Sequence, residues 1–123
     1  MIALWVVLAG SAGAVSRFVL DGFIRSRLQS EFPYATVLIN VTGSAVLGVV
    51  AGLVAFGSTP EQVQAIVGVG FCGGYTTFST ASVETVRLLE RRRYRLAASN
   101  AIGTGLGTTA VLGVAMVSTS YLL

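Results

Sequence analysis

Histidine and lysine are both absent from this 123-residue chain, and cysteine occurs once. Without histidine, imidazole acid/base catalysis and histidine metal sites are excluded. A single cysteine builds neither a disulfide framework nor a multi-thiolate zinc site within one chain. Charge is scarce too. Charged residues make up 11% of the chain, less than half the roughly 25% of a soluble domain. Hydrophobic residues supply 54%, and the mean hydropathy is +0.80. A soluble fold of this size needs a polar surface that this composition does not provide. No paired-carboxylate site and no phosphate-binding glycine loop followed by lysine is present, so an enzyme is not expected.

What the chain does contain is long apolar runs. A helix crossing a hydrocarbon core of about 30 Å needs about 20 mostly apolar residues. Four stretches qualify: residues 2–24, 35–56, 63–89 and 96–121. The expected fold is therefore an all-α membrane protein of four transmembrane helices, with residues 1–123 as a single domain. The first stretch reads as a span and not as a cleaved leader, because no basic residue precedes it and three more spans follow. The connections are short. In GSTPE (residues 57–61), Ser or Thr is suited to cap the next helix and Pro60 to begin its first turn. Trp5, Tyr34, Tyr94 and Tyr121 lie near span ends, where amphipathic rings settle. Glycine is frequent, 15 residues, and Gly43, Gly48, Gly103 and Gly107 offer small faces for close helix contact.

The arginines set the expected orientation. Arg25 and Arg27 fall in the first loop, and Arg87, Arg91, Arg92, Arg93 and Arg95 in or beside the third. The termini and the second loop carry none. By the positive-inside rule, loops one and three face the cytoplasm and both termini face outside, in a multi-pass protein of the cell membrane. The arginine cluster at residues 87–95 is explained by topology and by anionic lipid, so nucleic acid is not an expected partner.

Polar residues inside spans are functional candidates by default. Arg17 lies within span one, where it either snorkels or braces a neighbouring helix; Asp21 is placed to pair with it. Asn40 lies within span two. Residues 68–80 read GVGFCGGYTTFST, poor material for a continuous helix. A break at residues 73–77 would free backbone carbonyls, natural ligands for a hard cation such as Na⁺, and the hydroxyls of Thr76, Thr77 and Ser79 would face them or an anion. On residues alone, a glycine packing notch fits equally well. Asn100, Thr104 and Thr108 recur every four residues on one helical face. That face suits a polar ion track and an interhelical hydrogen-bonding strip equally. Glu84, the one carboxylate well inside a span, is expected to face Arg87 at i+3. Cys72 reads as a small apolar filler.

Three segments carry a resemblance: GSAGAVSRF (residues 10–18), TVLINVTGSAVLG (36–48) and GFCGGYTTFSTAS (70–82). Together they resemble the bacterial Fluc-type (CrcB-type) fluoride channels over nearly the whole chain. The resemblance implies four-helix subunits with a broken third helix, paired antiparallel into a dimer with two narrow pores. Such channels let fluoride leave the cell passively and so relieve its toxicity. It further implies a structural, non-transported Na⁺ held at the dimer interface by the carbonyls of Gly73 and Thr76. Asn40 matches the pore asparagine, Arg17 the first-helix arginine near a possible anion vestibule, and Phe78 the first of a phenylalanine pair. Asn100, Thr104 and Thr108 match the fourth-helix polar track less securely, because members vary there. The chemistry agrees, since a strongly hydrated anion needs amide and hydroxyl donors and the positive edges of aromatic rings.

One residue departs from that pattern: Ala81 stands where the second phenylalanine belongs. The arginine bias departs too, because a single sequence that inserts both ways needs a weak bias. The expected partner is therefore a related subunit of opposite topology, a homodimer being the other arrangement the resemblance permits. Two further readings stand beside the channel subunit. One is a non-conducting partner in a heterodimeric channel, consistent with Ala81. The other is a small proton-coupled cation exporter, which needs a carboxylate in the middle of span one that this chain lacks.

Overall fold

The computed structural model describes residues 1–123, all helix and connecting turns with no strand. Helix α1 spans Ile2–Arg27 and α2 spans Tyr34–Phe56. After Gly57 and the turn that follows, α3 (Glu61–Val63) leads into a π-helical segment, Gln64–Cys72, and then into α4 (Gly73–Tyr75). Helical geometry stops at Thr76 and Thr77 and resumes in α5 (Phe78–Glu90). Helix α6 runs Tyr94–Leu122.

Three of these helices, α1, α2 and α6, are long and apolar enough to cross a membrane by themselves. At 1.5 Å per residue, the 26 residues of α1 reach about 39 Å. Residues 61–90, which hold the expected third span, are assembled from four helical pieces. A π-helical stretch of nine residues is long for a form that usually appears as a single wide turn. Helix α1 runs three residues past the expected span because Arg25 pairs with Asp21 one turn earlier and continues the helix into the loop. The start of α3 differs from expectation: Pro60 itself is the N-cap, with no side-chain cap from Ser58 or Thr59.

Only 19 of 123 residues are buried, so a conventional core cannot hold this chain together in water. Val7, Val15, Phe18, Phe23, Leu106 and Val114 all point outward, as the side chains of a lipid-facing bundle do. What packs is backbone on backbone. Helix α2 lies along α6 through Gly48, where an added Cβ would sit 2.4 Å from the Leu112 carbonyl oxygen, and Gly52, against Thr119 and Met116. Helix α1 lies along the π segment and α4. A Cβ on Gly74 would fall 2.1 Å from the Gly10 oxygen, and one on Gly13 the same distance from the Phe71 oxygen. Gly43 admits Thr76 and Tyr75 against α2. Gly103 and Gly107 behave otherwise than expected, with no atom of the chain near a Cβ at either. They lie on a face of α6 that this chain does not cover.

The turn between α5 and α6 is closed by two backbone bonds, Arg92 N–H to the Leu89 oxygen at 3.0 Å and Arg93 N–H to the Leu88 oxygen at 2.8 Å. This is the Schellman pattern, and its left-handed position, usually glycine, is Arg92 at φ 57°.

Candidate functional site: a polar groove at a helix interruption

The interruption begins with sequence that holds a helix weakly. Two glycines and two threonines follow one another at residues 73–77, and threonine hydroxyls compete for backbone carbonyls. Thr76 donates its hydroxyl to the Cys72 carbonyl at 2.7 Å while its backbone turns extended (φ −80°, ψ 159°). Thr77 is extended as well (φ −147°, ψ 114°) and caps α5, its hydroxyl oxygen accepting from the Thr80 N–H at 3.2 Å. The glycines themselves stay helical. The chain leaves the helix where a neighbour offers substitute hydrogen bonds.

That neighbour is Asn40, buried in α2 at 6% exposure. Its amide pairs with both backbone groups of Thr77, Nδ2 donating to the Thr77 oxygen at 3.0 Å and Oδ1 accepting from the Thr77 N–H at 2.8 Å. The consequence reaches Gly73. In an α-helix its carbonyl would accept from the Thr77 N–H, which Asn40 has taken. The Thr76 carbonyl likewise loses its helical donor, since the Thr80 N–H bonds to Thr77 Oγ1. The carbonyls of residues 73–76 are thus all left without their helical donors, and Arg17 takes up only that of Gly74. No group of three or more His, Cys, Asp or Glu side chains gathers here, and the oxygens at the interruption are those of backbone carbonyls, threonine hydroxyls and the Asn40 amide.

Arg17 reaches inward and not toward a membrane surface: its Nε donates to the Gly74 carbonyl at 3.4 Å. Asp21 pairs with Arg25 at 2.9 Å, not with Arg17. Glu84 does not face Arg87 but accepts from Arg25 Nη2 at 3.0 Å and from the Thr36 hydroxyl. In both cases the within-helix neighbour loses to a side chain brought in by packing.

Beside the interruption lies a groove of about 620 Å³ between α2, α5 and α6. It is lined by Asn40, Gly73, Thr76, Thr77, Phe78, Ala81, Asn100, Thr104 and Thr108, among others. Residues from three separate sequence segments therefore converge on one concave surface. Asn100 is fully buried and donates Nδ2 to Thr85 Oγ1 at 2.8 Å and to the Ala81 carbonyl at 3.4 Å. Thr104 donates to Asn100 Oδ1 at 3.5 Å, and Thr108 to the Thr104 carbonyl at 2.6 Å. The α6 track is thus a linked chain of hydrogen bonds. Phe78 projects from the wall, 87% exposed in this subunit. Ser79 and Arg17 lie outside the groove lining, and Ser79 is exposed.

Sequence reasoning missed three participants. Tyr75 is buried and its hydroxyl lies 2.9 Å from Thr42 Oγ1, tying α4 to α2. Thr85 anchors Asn100. Thr36, one turn before Asn40 on α2, holds Glu84. Thr36 and Thr85 were signalled by their i−4 spacing to Asn40 and their i+4 spacing from Ala81, though spacing alone does not show what they touch. No buried side-chain nitrogen or oxygen is left without a partner.

Comparisons place this arrangement. Residues 4–120 match the family model described as CrcB-like protein, Camphor Resistance (CrcB). A protein of Leifsonia xyli subsp. xyli, "Fluoride-specific ion channel FluC 1", is 52% identical over 103 residues, covering 84% of this chain and 75% of its own. "Fluoride-specific ion channel FluC 2" of Cutibacterium acnes is 44% identical over 120 residues, covering 94% of this chain and 97% of its own. A more distant relative, "Fluoride-specific ion channel FluC" of Thermococcus onnurineus, is 37% identical over 123 residues and covers 99% and 94%.

Proposed function

This chain belongs to the CrcB family, and from that premise we propose that it is a subunit of a fluoride channel that lets fluoride leave the cell down its gradient. It is a multi-pass membrane protein and not an enzyme, in line with relatives named as fluoride-specific ion channels. The observation that carries the reading is the groove, where amide and hydroxyl groups from α2, α5 and α6 meet at a helix interruption. Non-helical backbone at membrane depth is tolerated where it is packed in protein or lines a wet path. A small anion gives up strong hydration on entry, so the path must present hydrogen-bond donors in place of water. Asn40 retains a second amide N–H beyond the one on Thr77, and the hydroxyls of Thr76, Thr77, Thr104 and Thr108 can rotate. The Phe78 ring adds an electropositive edge.

A structural Na⁺ fits the same interruption. The Gly73 and Thr76 carbonyls lack their helical donors, and a hard cation is held by such oxygens. Two carbonyls do not complete a coordination shell, so a dimer partner supplies the rest. That partner is a related four-span subunit of opposite orientation. The support is the arginine distribution, seven in or beside loops one and three and none in the termini or the second loop, which inserts this chain one way with both termini outside. The non-conducting alternative, in which this chain supports a path lined by its partner, is favoured by Ala81 at the groove wall.

The test is fluoride efflux from liposomes in Na⁺. Rapid efflux from the chain alone, with chloride retained, supports the channel and rejects the obligate heterodimer. Efflux only after an oppositely biased homologue is added supports the heterodimer. Absence of efflux in both arms rejects the channel reading.

A further inference from the structure

The polar cluster at the loop-one end of the bundle is not absorbed by the groove. Glu84 is largely buried, its side chain 11% exposed, and both of its oxygens are engaged: Oε1 by the Thr36 hydroxyl and Oε2 by Arg25 Nη2 at 3.0 Å. Arg25 Nη2 also lies 3.4 Å from Thr36 Oγ1, while its Nε is fixed by Asp21 at 2.9 Å. One guanidinium therefore joins α1, α2 and α5. Asp21 is the more exposed carboxylate, 34% against 11%. Water screens its charge, and the carboxylate withdrawn from water is Glu84, paired with a guanidinium whose own side chain is 47% exposed.

Resting on the fluoride reading, we propose that Arg25 is a positioning residue of the anion path, fixing and neutralising Glu84 so that a buried carboxylate does not repel fluoride at the end of the groove. Thr36, which shares Glu84 with Arg25, stands one helical turn from the groove residue Asn40, about 6 Å along the axis of α2. A carboxylate charge there, without its guanidinium, acts on an anion across a partly dry distance at which repulsion is large. Asp21 serves the same end from the opposite side. It orients the guanidinium, whose fork then presents Nη2 inward to Glu84.

The experiment uses the channel in its conducting assembly, reconstituted so sparsely that most vesicles hold one channel or none. The fraction of vesicles that empty counts folded channels, and the rate of emptying measures each channel. A purely structural tie changes the first, whereas a positioning role changes the second. The expected result is that Arg25→Gln slows the per-channel rate about tenfold or more, while the double variant Arg25→Gln/Glu84→Gln stays within about threefold of the unmodified protein. An unchanged Arg25→Gln rate overturns the proposal, as does a double variant as slow as the single. If Arg25→Gln alone yields no emptying vesicles, the double variant decides on the same threefold and tenfold limits. If the unmodified channel releases no fluoride, the channel reading has failed, a result separable from both.

Discussion

Replacing Asn40 by alanine tests the central claim that this side chain stands in for helical hydrogen bonds at the interruption. In the native protein the amide makes two bonds to one peptide, 3.0 Å and 2.8 Å, at a site 6% exposed. Alanine leaves the Thr77 N–H and C=O both unpaired. An unsatisfied buried group costs about 1–3 kcal/mol, so two cost about 2–6 kcal/mol where the site stays dry. Water entering from the adjoining groove would lower that toward the bottom of the range. The expected loss is therefore about 2–4 kcal/mol, read as a shift in the midpoint of reversible SDS unfolding in mixed micelles. Asn40→Asp separates the two bonds, because an ionised carboxylate still accepts from the Thr77 N–H but cannot donate to its oxygen. It should destabilise at least as much as alanine, because its second oxygen faces the Thr77 oxygen and its charge is buried unpaired, and it should abolish fluoride efflux by placing a negative charge in the groove. An Asn40→Ala protein within about 0.5 kcal/mol of the original would refute the reasoning, because no surrogate role could then be assigned to the amide.

Four other outcomes follow from the packing. Gly74→Ala should destabilise by about 1–3 kcal/mol or block folding, since its Cβ meets the Gly10 backbone at 2.1 Å, which a flexible side chain cannot relieve. Gly22→Ala, with no atom near the added carbon, should stabilise by up to about 1 kcal/mol; equal midpoints for these two variants in the same SDS titration would contradict the packing described. Arg92→Gly relieves a left-handed non-glycine residue at φ 57° and should stabilise the α5–α6 turn by about 1 kcal/mol, measured the same way. Ala81→Phe restores a ring at the groove wall and should raise fluoride efflux through this subunit, with no change in efflux counting against a conducting role for that position.

Much of the fold was legible because apolar run length is a strong, local signal. The helix limits nearly coincide with the expected spans, and the overrun of α1 to Arg27 has a local cause in the Asp21–Arg25 pair. Ser79 and Arg17 do not line the groove, whereas Asn40, Thr76, Thr77 and the i+4 series on α6, polar residues in apolar surroundings, do. Their partners were not legible. Periodicity says which face a residue occupies but not which helix lies opposite, so Glu84 was matched to Arg87 on its own helix when Arg25, 59 residues away, was the partner. The same limit hid the Asn40–Thr77 pairing across 37 residues. It also explains why, within the expected stretch 73–77, helical geometry stops at the threonines and not at the glycines. Low helix propensity marks a region that can open, while the position of the opening is set by where a donor and an acceptor wait on another helix.

The two asparagines show how a small apolar chain keeps a polar interior in place. Neither is free. Asn40 is bound to the Thr77 backbone and Asn100 to Thr85 and Ala81, so each is oriented by groups on α5 or its cap. Thr77 and Ala81 are four residues apart, and α5 therefore carries both anchors about one turn apart. A rigid-body shift of α5 moves both amides together relative to the groove. The same helix carries Glu84, between the two Asn100 partners Ala81 and Thr85 and held by Arg25 and Thr36. The geometry of the groove thus depends on the registration of one short helix of 13 residues, fixed at its start by Asn40 and in its middle by Asn100 and the Arg25 ion pair. This is why substitutions at Asn40 and Arg25, on two different helices, are expected to act on the same path.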